Sequence, residues 1–182
     1  MAQAALETVI VALDEASLYR QATTMAAWAP RGQPHTVRCD PGRAKTSLYG
    51  ALNLTTGWEV VMHALRLNAA TTAQYREPLL SAYPDGPLVV WWDRAPWHRG
   101  AAIRDLVAAH PRLELIEFPT AAPDLNPQEH GWKATRRAVS HKHTDQNFAT
   151  LAPRFVTHLT TTHFASSFLD HYGWNIARPR FN

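Results

Sequence analysis

Two short runs that admit no polar residue stand out from an otherwise mixed pattern: Val9-Ile10-Val11-Ala12-Leu13, which ends at Asp14, and Leu88-Val89-Val90-Trp91-Trp92, which ends at Asp93. About five consecutive apolar positions rich in Val, Ile and Trp fit a strand covered on both faces, as in the middle of a parallel sheet. The first strand is therefore read over residues 7–13. Residues 28–45 are broken by Pro30, Gly32, Pro34, Pro41 and Gly42 and read as loop, with a short strand near 35–39. Residues 47–54 and 59–67 carry β-compatible runs on either side of Thr55-Thr56-Gly57, the composition of a turn between antiparallel strands.

From residue 72 the pattern alternates: helix over 72–83, strand over 88–92, helix over 101–109, strand over 113–118. Alternation of this kind builds parallel βαβ crossovers. Joined to the earlier meander, it predicts an α/β fold with a mixed sheet, part antiparallel and part parallel, flanked by helices. Asn126 is placed to cap a helix with Pro127 at its first position, running to about residue 141, and residues 147–171 support one or two helices more.

At 182 residues the chain is expected to be a single domain with a sizeable core. No segment approaches the roughly 18 apolar residues of a membrane span, and the N-terminus lacks the pattern of a secretory leader. Cys39 is the only cysteine, which excludes an intrachain disulfide framework and fits a cytoplasmic protein. The formal charge of +3 and the ten histidines lean weakly toward polyanionic partners. The histidines lack a zinc-site spacing.

Acids at neighbouring strand ends share the sheet edge where ligands bind in open α/β folds. Hard divalent cations take such carboxylate oxygens. A third acid on a facing helix would complete a two-ion site for phosphodiester chemistry. Each acid also has a plainer explanation. Asp14 and Asp93 could simply open exposed loops. Glu129, third after Asn126, could bond back to the helix cap or pair with Lys133 one turn on. The residues alone leave Glu129 undecided.

Five segments, in order, carry a resemblance: Asp14-Glu15 after a strand, Trp28-Ala29-Pro30-Arg31-Gly32-Gln33, Tyr49-Gly50-Ala51-Leu52, Trp92-Asp93-Arg94-Ala95-Pro96-Trp97-His98, and Pro123-Asp124-Leu125-Asn126-Pro127-Gln128-Glu129. Over residues 8–140 or so the chain resembles the catalytic domain of bacterial insertion-sequence transposases of the mariner-like superfamily, which carry a DDE acid triad on a ribonuclease-H-like fold. The 35 residues between Asp93 and Glu129 are close to that family's spacing.

The resemblance implies that Asp14, Asp93 and Glu129 hold two Mg²⁺ or Mn²⁺ ions that cut DNA and join its 3′ end to a target. His98 falls at the family's histidine position, to orient Asp93 or contact DNA. Lys133, Arg136 and Arg137 follow Glu129 at helical spacings and could guide phosphates along one face. The implied partners are transposon-end and target DNA, a second copy of the chain, and a separate helix-turn-helix chain, because only thirteen residues precede Asp14. A bacterial, nucleoid-associated protein follows from the same likeness. Two departures are His130-Gly131 before Trp132, where the family carries bulkier residues, and the missing N-terminal helix-turn-helix region. The competing readings are a ribonuclease-H-like nuclease that does not join ends and a catalytically idle DNA-binding remnant.

Overall fold

The first strand runs further than its apolar core. In the computed structural model, which describes residues 8–21, 28–33, 44–120, 122–141, 143, 145 and 147–164, β1 spans Val9–Tyr19. Val9 to Ala12 pair in parallel with Leu88 to Trp91 of β4 (Leu88–Trp92). Along its whole later length β1 pairs antiparallel with β2 (Lys45–Asn53), from Val11 opposite Asn53 to Tyr19 opposite Lys45. The strand thus changes character just before Asp14: Val11 and Ala12 lie between two neighbours, and from Leu13 onward only β2 remains. The apolar run contains every residue paired with β4, and the mixed stretch Asp14 to Tyr19 is paired with β2 alone.

β2 turns through Thr55-Thr56 into β3 (Glu59–Ala64), the Asn53 side chain accepting hydrogen bonds from both threonine backbone amides at 2.8 and 2.9 Å. The predicted hairpin is present. α1 (Ala69–Ala82) begins three residues before the expected position because Asn68 and Thr71 form a reciprocal capping box. It leads to β4, and α2 (Ala101–Ala109) leads on to β5 (Leu113–Glu117), parallel to β4. The five strands lie in the order β3-β2-β1-β4-β5, the mixed sheet that the pattern predicts.

Alternation along the strands divides the core. Val11, Leu13, Tyr49, Val90 and Trp92 join Tyr75 and Leu79 of α1 and Ile103 and Leu106 of α2 on one face. Ala12, Ala16, Leu48 and Leu52 join Trp132, Leu151 and Phe155 on the other. That second face is covered by α3 (Gln128–Thr135) and α4 (Phe148–Thr161). The helix expected from Pro127 to about residue 141 starts one residue later and, after Thr135, continues as a π turn over Arg136–Ser140. Among the described residues no helix is long and apolar enough to cross a membrane. The strand expected near 35–39, Cys39, and the helical stretch after residue 164 lie outside the described residues.

Candidate active site

The register of β1 and β4 sets the first two acids side by side. Ala12 is paired with Trp91, and two residues further along both strands stand Asp14 and Asp93. A step of two keeps a side chain on the same face of a strand, so both acids follow the face covered by α3 and α4. They occupy the fork where β1 continues beside β2 and β4 ends. Glu129 comes from the first turn of α3, which crosses this face. Asp14, Asp93 and Glu129, with Arg94, Phe118 and Asn126, line a single cavity of about 300 Å³.

Local sequence explains how α3 reaches that place. Asn126 is buried; its side-chain amide donates to the Leu13 carbonyl at 3.3 Å, and its Oδ1 accepts from the Gln128 amide at 3.1 Å. One residue therefore joins the start of α3 to the backbone just before Asp14. Trp132, fully buried, donates its indole N–H to Asp14 Oδ2 at 3.0 Å. Its ring lies over Gly50, where a Cβ would stand 2.6 Å from Trp132 Cη2, so close passage of α3 over β2 requires glycine there. Asn126 caps α3 through that bond to the Gln128 amide, but among the described residues the Glu129 side chain neither bonds back to the Asn126 backbone nor forms an ion pair with Lys133. The plainer explanations for Glu129 thus lack their contacts.

The environments of the acids differ. Burial raises the Asp14 carboxyl to about 7, with the negative charges of Glu129 and Glu15 adding to the rise and the Trp132 hydrogen bond opposing it. Asp93 is open, its side chain 53% exposed. The hydrogen bond from His98 holds its carboxyl below the usual value against partial burial, helped by the Ala95 amide. A cation beside Asp14 would offset the Glu129 and Glu15 charges that add to the rise caused by burial.

His98 sits behind Asp93, on the opposite side from the cavity. Its Nδ1 meets Asp93 Oδ1 at 3.0 Å and the Asp93 carbonyl at 2.8 Å; its Nε2 meets Glu15 Oε1 at 2.8 Å. The ring stacks on Trp92 with centroids 4.3 Å apart. Burial works to lower the imidazole pKa, but the bonds to Asp93 and Glu15 outweigh it and hold it at about 10. His98 is therefore an imidazolium at neutral pH that donates from both nitrogens.

Glu15, Asp93 and His98 are the one group among the described residues whose ligand atoms fall within 4.8 Å of one another. Both His98 nitrogens are engaged in hydrogen bonds, Nδ1 with Asp93 and Nε2 with Glu15. These bonds orient Asp93. Asp14, Asp93 and Glu129 are spread more widely than this. One ion cannot take an oxygen from each without side-chain movement, whereas two ions about 3.5–4 Å apart call for the wider spacing. With oxygen donors only, from three elements around one cavity, the set suits hard divalent cations.

Of the basic residues expected after Glu129, Lys133 and Arg137 are exposed and Arg136 is half-buried, the π turn having changed the spacing beyond Thr135. Arg94, which the sequence reading passes over, lines the cavity, pairing with Glu117 at 3.0 Å and donating to Thr120 at 3.2 Å. Glu15, next to Asp14 in sequence, is brought to His98 rather than to the cavity. The available signal is that adjacent strand residues point to opposite faces, so an acid pair must serve two surroundings.

Comparison with known proteins shows the family and the fold. The profile described as DDE superfamily endonuclease matches residues 9–152. Solved structures with the same ribonuclease-H-like fold include a pre-cleavage Mos1 transpososome, 17% identical with a TM-score of 0.68 over 90% of this chain and 52% of that one. The Mos1 strand transfer complex is 19% identical with a TM-score of 0.65 over 88% and 49%. The Mos1 transposase catalytic domain with raltegravir and Mg is 15% identical with a TM-score of 0.62 over 90% and 77%. The chain thus spans about half the length of the chains in the two complexes. No curated protein matches the sequence.

Proposed function

Because the chain belongs to the DDE superfamily endonuclease family, we propose that residues 1–182 form a single catalytic domain that cleaves DNA strands and transfers the resulting 3′ ends to a target. The observation that carries this reading is the convergence of Asp14, Asp93 and Glu129 from two strands and a helix on one cavity.

In this reading Asp14, Asp93 and Glu129 hold two Mg²⁺ or Mn²⁺ ions. When bound, such ions activate an attacking oxygen and offset charge on the leaving one. The protein's own part is positional. Trp132 fixes the Asp14 carboxylate, Asn126 joins α3 to β1, and the Glu15–His98 pair holds Asp93 from behind so that its open face meets the cavity. Arg94, Lys133 and Arg137 offer positive charge for phosphates at and beside the cavity.

The partners follow from the same reading: transposon-end and target DNA and a second copy of the chain, at the nucleoid of a bacterial cell. The neighbouring Mos1 complexes, one with a transposon end and one a strand transfer complex, support it.

The test is cleavage of end-labelled duplex DNA with Mn²⁺. Nicking by the wild type that disappears in Asp14→Ala, Asp93→Ala and Glu129→Ala, with circular dichroism unchanged, is the expected result; persistent nicking in any of the three contradicts it. Covalent transfer of the labelled 3′ end to a second duplex distinguishes a transposase from a nuclease that only hydrolyses. DNA binding with neither Mn²⁺ binding nor cleavage would indicate an idle remnant.

A further inference from the structure

Beneath the site lies a buried acid that the proposed chemistry does not use. Glu59 opens the edge strand β3 yet is only 7% exposed, and among the described residues its single hydrogen-bonded side-chain partner is Gln128, whose Nε2 donates to Glu59 Oε2 at 2.9 Å. Gln128, with no exposed surface, immediately precedes Glu129. Two buried oxygens of this pair, Glu59 Oε1 and Gln128 Oε1, have no hydrogen-bond partner among the described residues. An ionised Glu59 is an acceptor only and leaves both oxygens without a donor, whereas a proton on the carboxyl supplies one from within the pair. Burial does push the Glu59 carboxyl up, to about 8, against the lowering effect of the Gln128 bond.

The same acid accounts for the departure before Trp132. A Cβ at residue 131 would overlap Glu59 Oε1 and come within 3.5 Å of Gln128 Nε2. Gln128, Gly131, Trp132 and Thr135 recur at helical spacings of three and four, all buried, so they form the face of α3 that lies on the sheet. Gln128 Nε2 would also stand 2.8 Å from a Cβ at Gly50, beside the Trp132 ring. Glu59, Gln128, Gly131 and Gly50 therefore interlock under the turn that carries Glu129.

We propose that Glu59 and Gln128 form a neutral carboxyl–carboxamide tie that sets the position of Glu129 and Trp132 over the cavity, and that residue 131 is glycine because the Glu59 carboxyl occupies the space a side chain there needs. Glu59 is a positioning residue, acting through α3. Its effect on the site rests on the reading of Glu129 as a metal ligand; the tie itself does not. A displacement of about 1 Å in a reacting group far from the mutated residue can cost about a hundredfold in rate.

The experiment combines Mn²⁺ titration calorimetry with thermal unfolding of the whole chain. Glu59→Gln preserves complementary donors and acceptors, and its Mn²⁺ dissociation constant stays within about twofold of the wild type. Glu59→Leu keeps the volume but not the bonds; it weakens Mn²⁺ binding by at least about tenfold while unfolding remains cooperative, the scale of loss when supporting partners around metal ligands are removed. Gly131→Ala lowers the unfolding midpoint, and adding Glu59→Ala to it raises the midpoint again. Wild-type affinity in Glu59→Leu, tenfold loss in Glu59→Gln, or a further drop in the double variant would each overturn the proposal. The glycine coupling is read from unfolding alone and decides the matter where Glu59→Leu does not fold. If the wild type binds no Mn²⁺, the metal reading and its claim on Glu129 fail, while the unfolding results still judge the tie.

Discussion

Replacing Glu59 by Gln should make the protein more stable, and by an amount that grows with pH. The Glu59 carboxyl has an ordinary value of 4.5 and a folded value of about 8. Between those values the unfolded chain has released a proton that the native chain keeps, so the native state binds more protons and stability falls as pH rises, by about 1.4 kcal/mol per unit. The loss is small at pH 5, and by pH 8 it has grown by about 3 kcal/mol. Glu59 is 7% exposed, so solvent screening removes little of it. A glutamine does not titrate and keeps the bond to Gln128. Asp14, also raised by burial, contributes a slope of the same sign to both proteins and cancels in the difference. For a chain of this size about 3 kcal/mol corresponds to roughly 6–12 °C in Tm. Calorimetric scans at pH 5, 6.5 and 8 should show the variant pulling ahead across the series. Parallel Tm curves, or a gap that narrows with pH, would refute a buried neutral Glu59.

Other expectations follow from single contacts. Trp132→Phe removes the indole N–H on Asp14; at about 1.5–3 kcal/mol for a bond to a charged group, Mn²⁺ affinity measured by calorimetry should fall about 10- to 100-fold, and unchanged affinity contradicts the role given to that bond. The Asp14 carboxyl, at about 7 without metal, must lose its proton to bind a cation. Affinity for Mn²⁺ should therefore rise with pH up to neutrality and then level off, with proton release detected in buffers of differing ionisation enthalpy; pH-independent affinity from pH 5.5 to 8 would contradict it. Glu15→Gln keeps a hydrogen-bond acceptor but drops the charge behind His98, so NMR titration should find the imidazole pKa below its wild-type position near 10; no change would remove Glu15 from that pair. Gly50→Ala pushes a methyl into the Trp132 ring and should cost about 1–3 kcal/mol in urea unfolding, with no loss taken as evidence that α3 can lift away.

The parts legible in the sequence were those written in short, local patterns. The runs ending at Leu13 and Trp92 announced strands flanked on both sides, and their pairing put Asp14 and Asp93 level. The end of β1 was not legible. Residues 14–19 mix Asp, Glu and Ser with Ala, Leu and Tyr because that half of the strand has only β2 beside it, and such a mixture reads as a loop. Asn126 was correctly seen to organise the start of α3, but its side chain also reaches the Leu13 carbonyl, 113 positions away in sequence. The Glu15–His98 bond spans 83 positions and the Glu59–Gln128 bond 69. No periodicity reports such contacts; they arise only once the sheet brings separate segments together. Gly131 stood out as an oddity and found its reason only when Glu59 was placed beneath it. The π turn after Thr135 follows residues with good helical spacing and left no local mark.

The most direct measurement is anomalous scattering from crystals of the protein grown with Mn²⁺. Two peaks about 3.5–4 Å apart in the cavity, shared among Asp14, Asp93 and Glu129, are the predicted result. Absence of both peaks, or a single ion seated instead between Glu15 and His98, would contradict the assignment of these three acids.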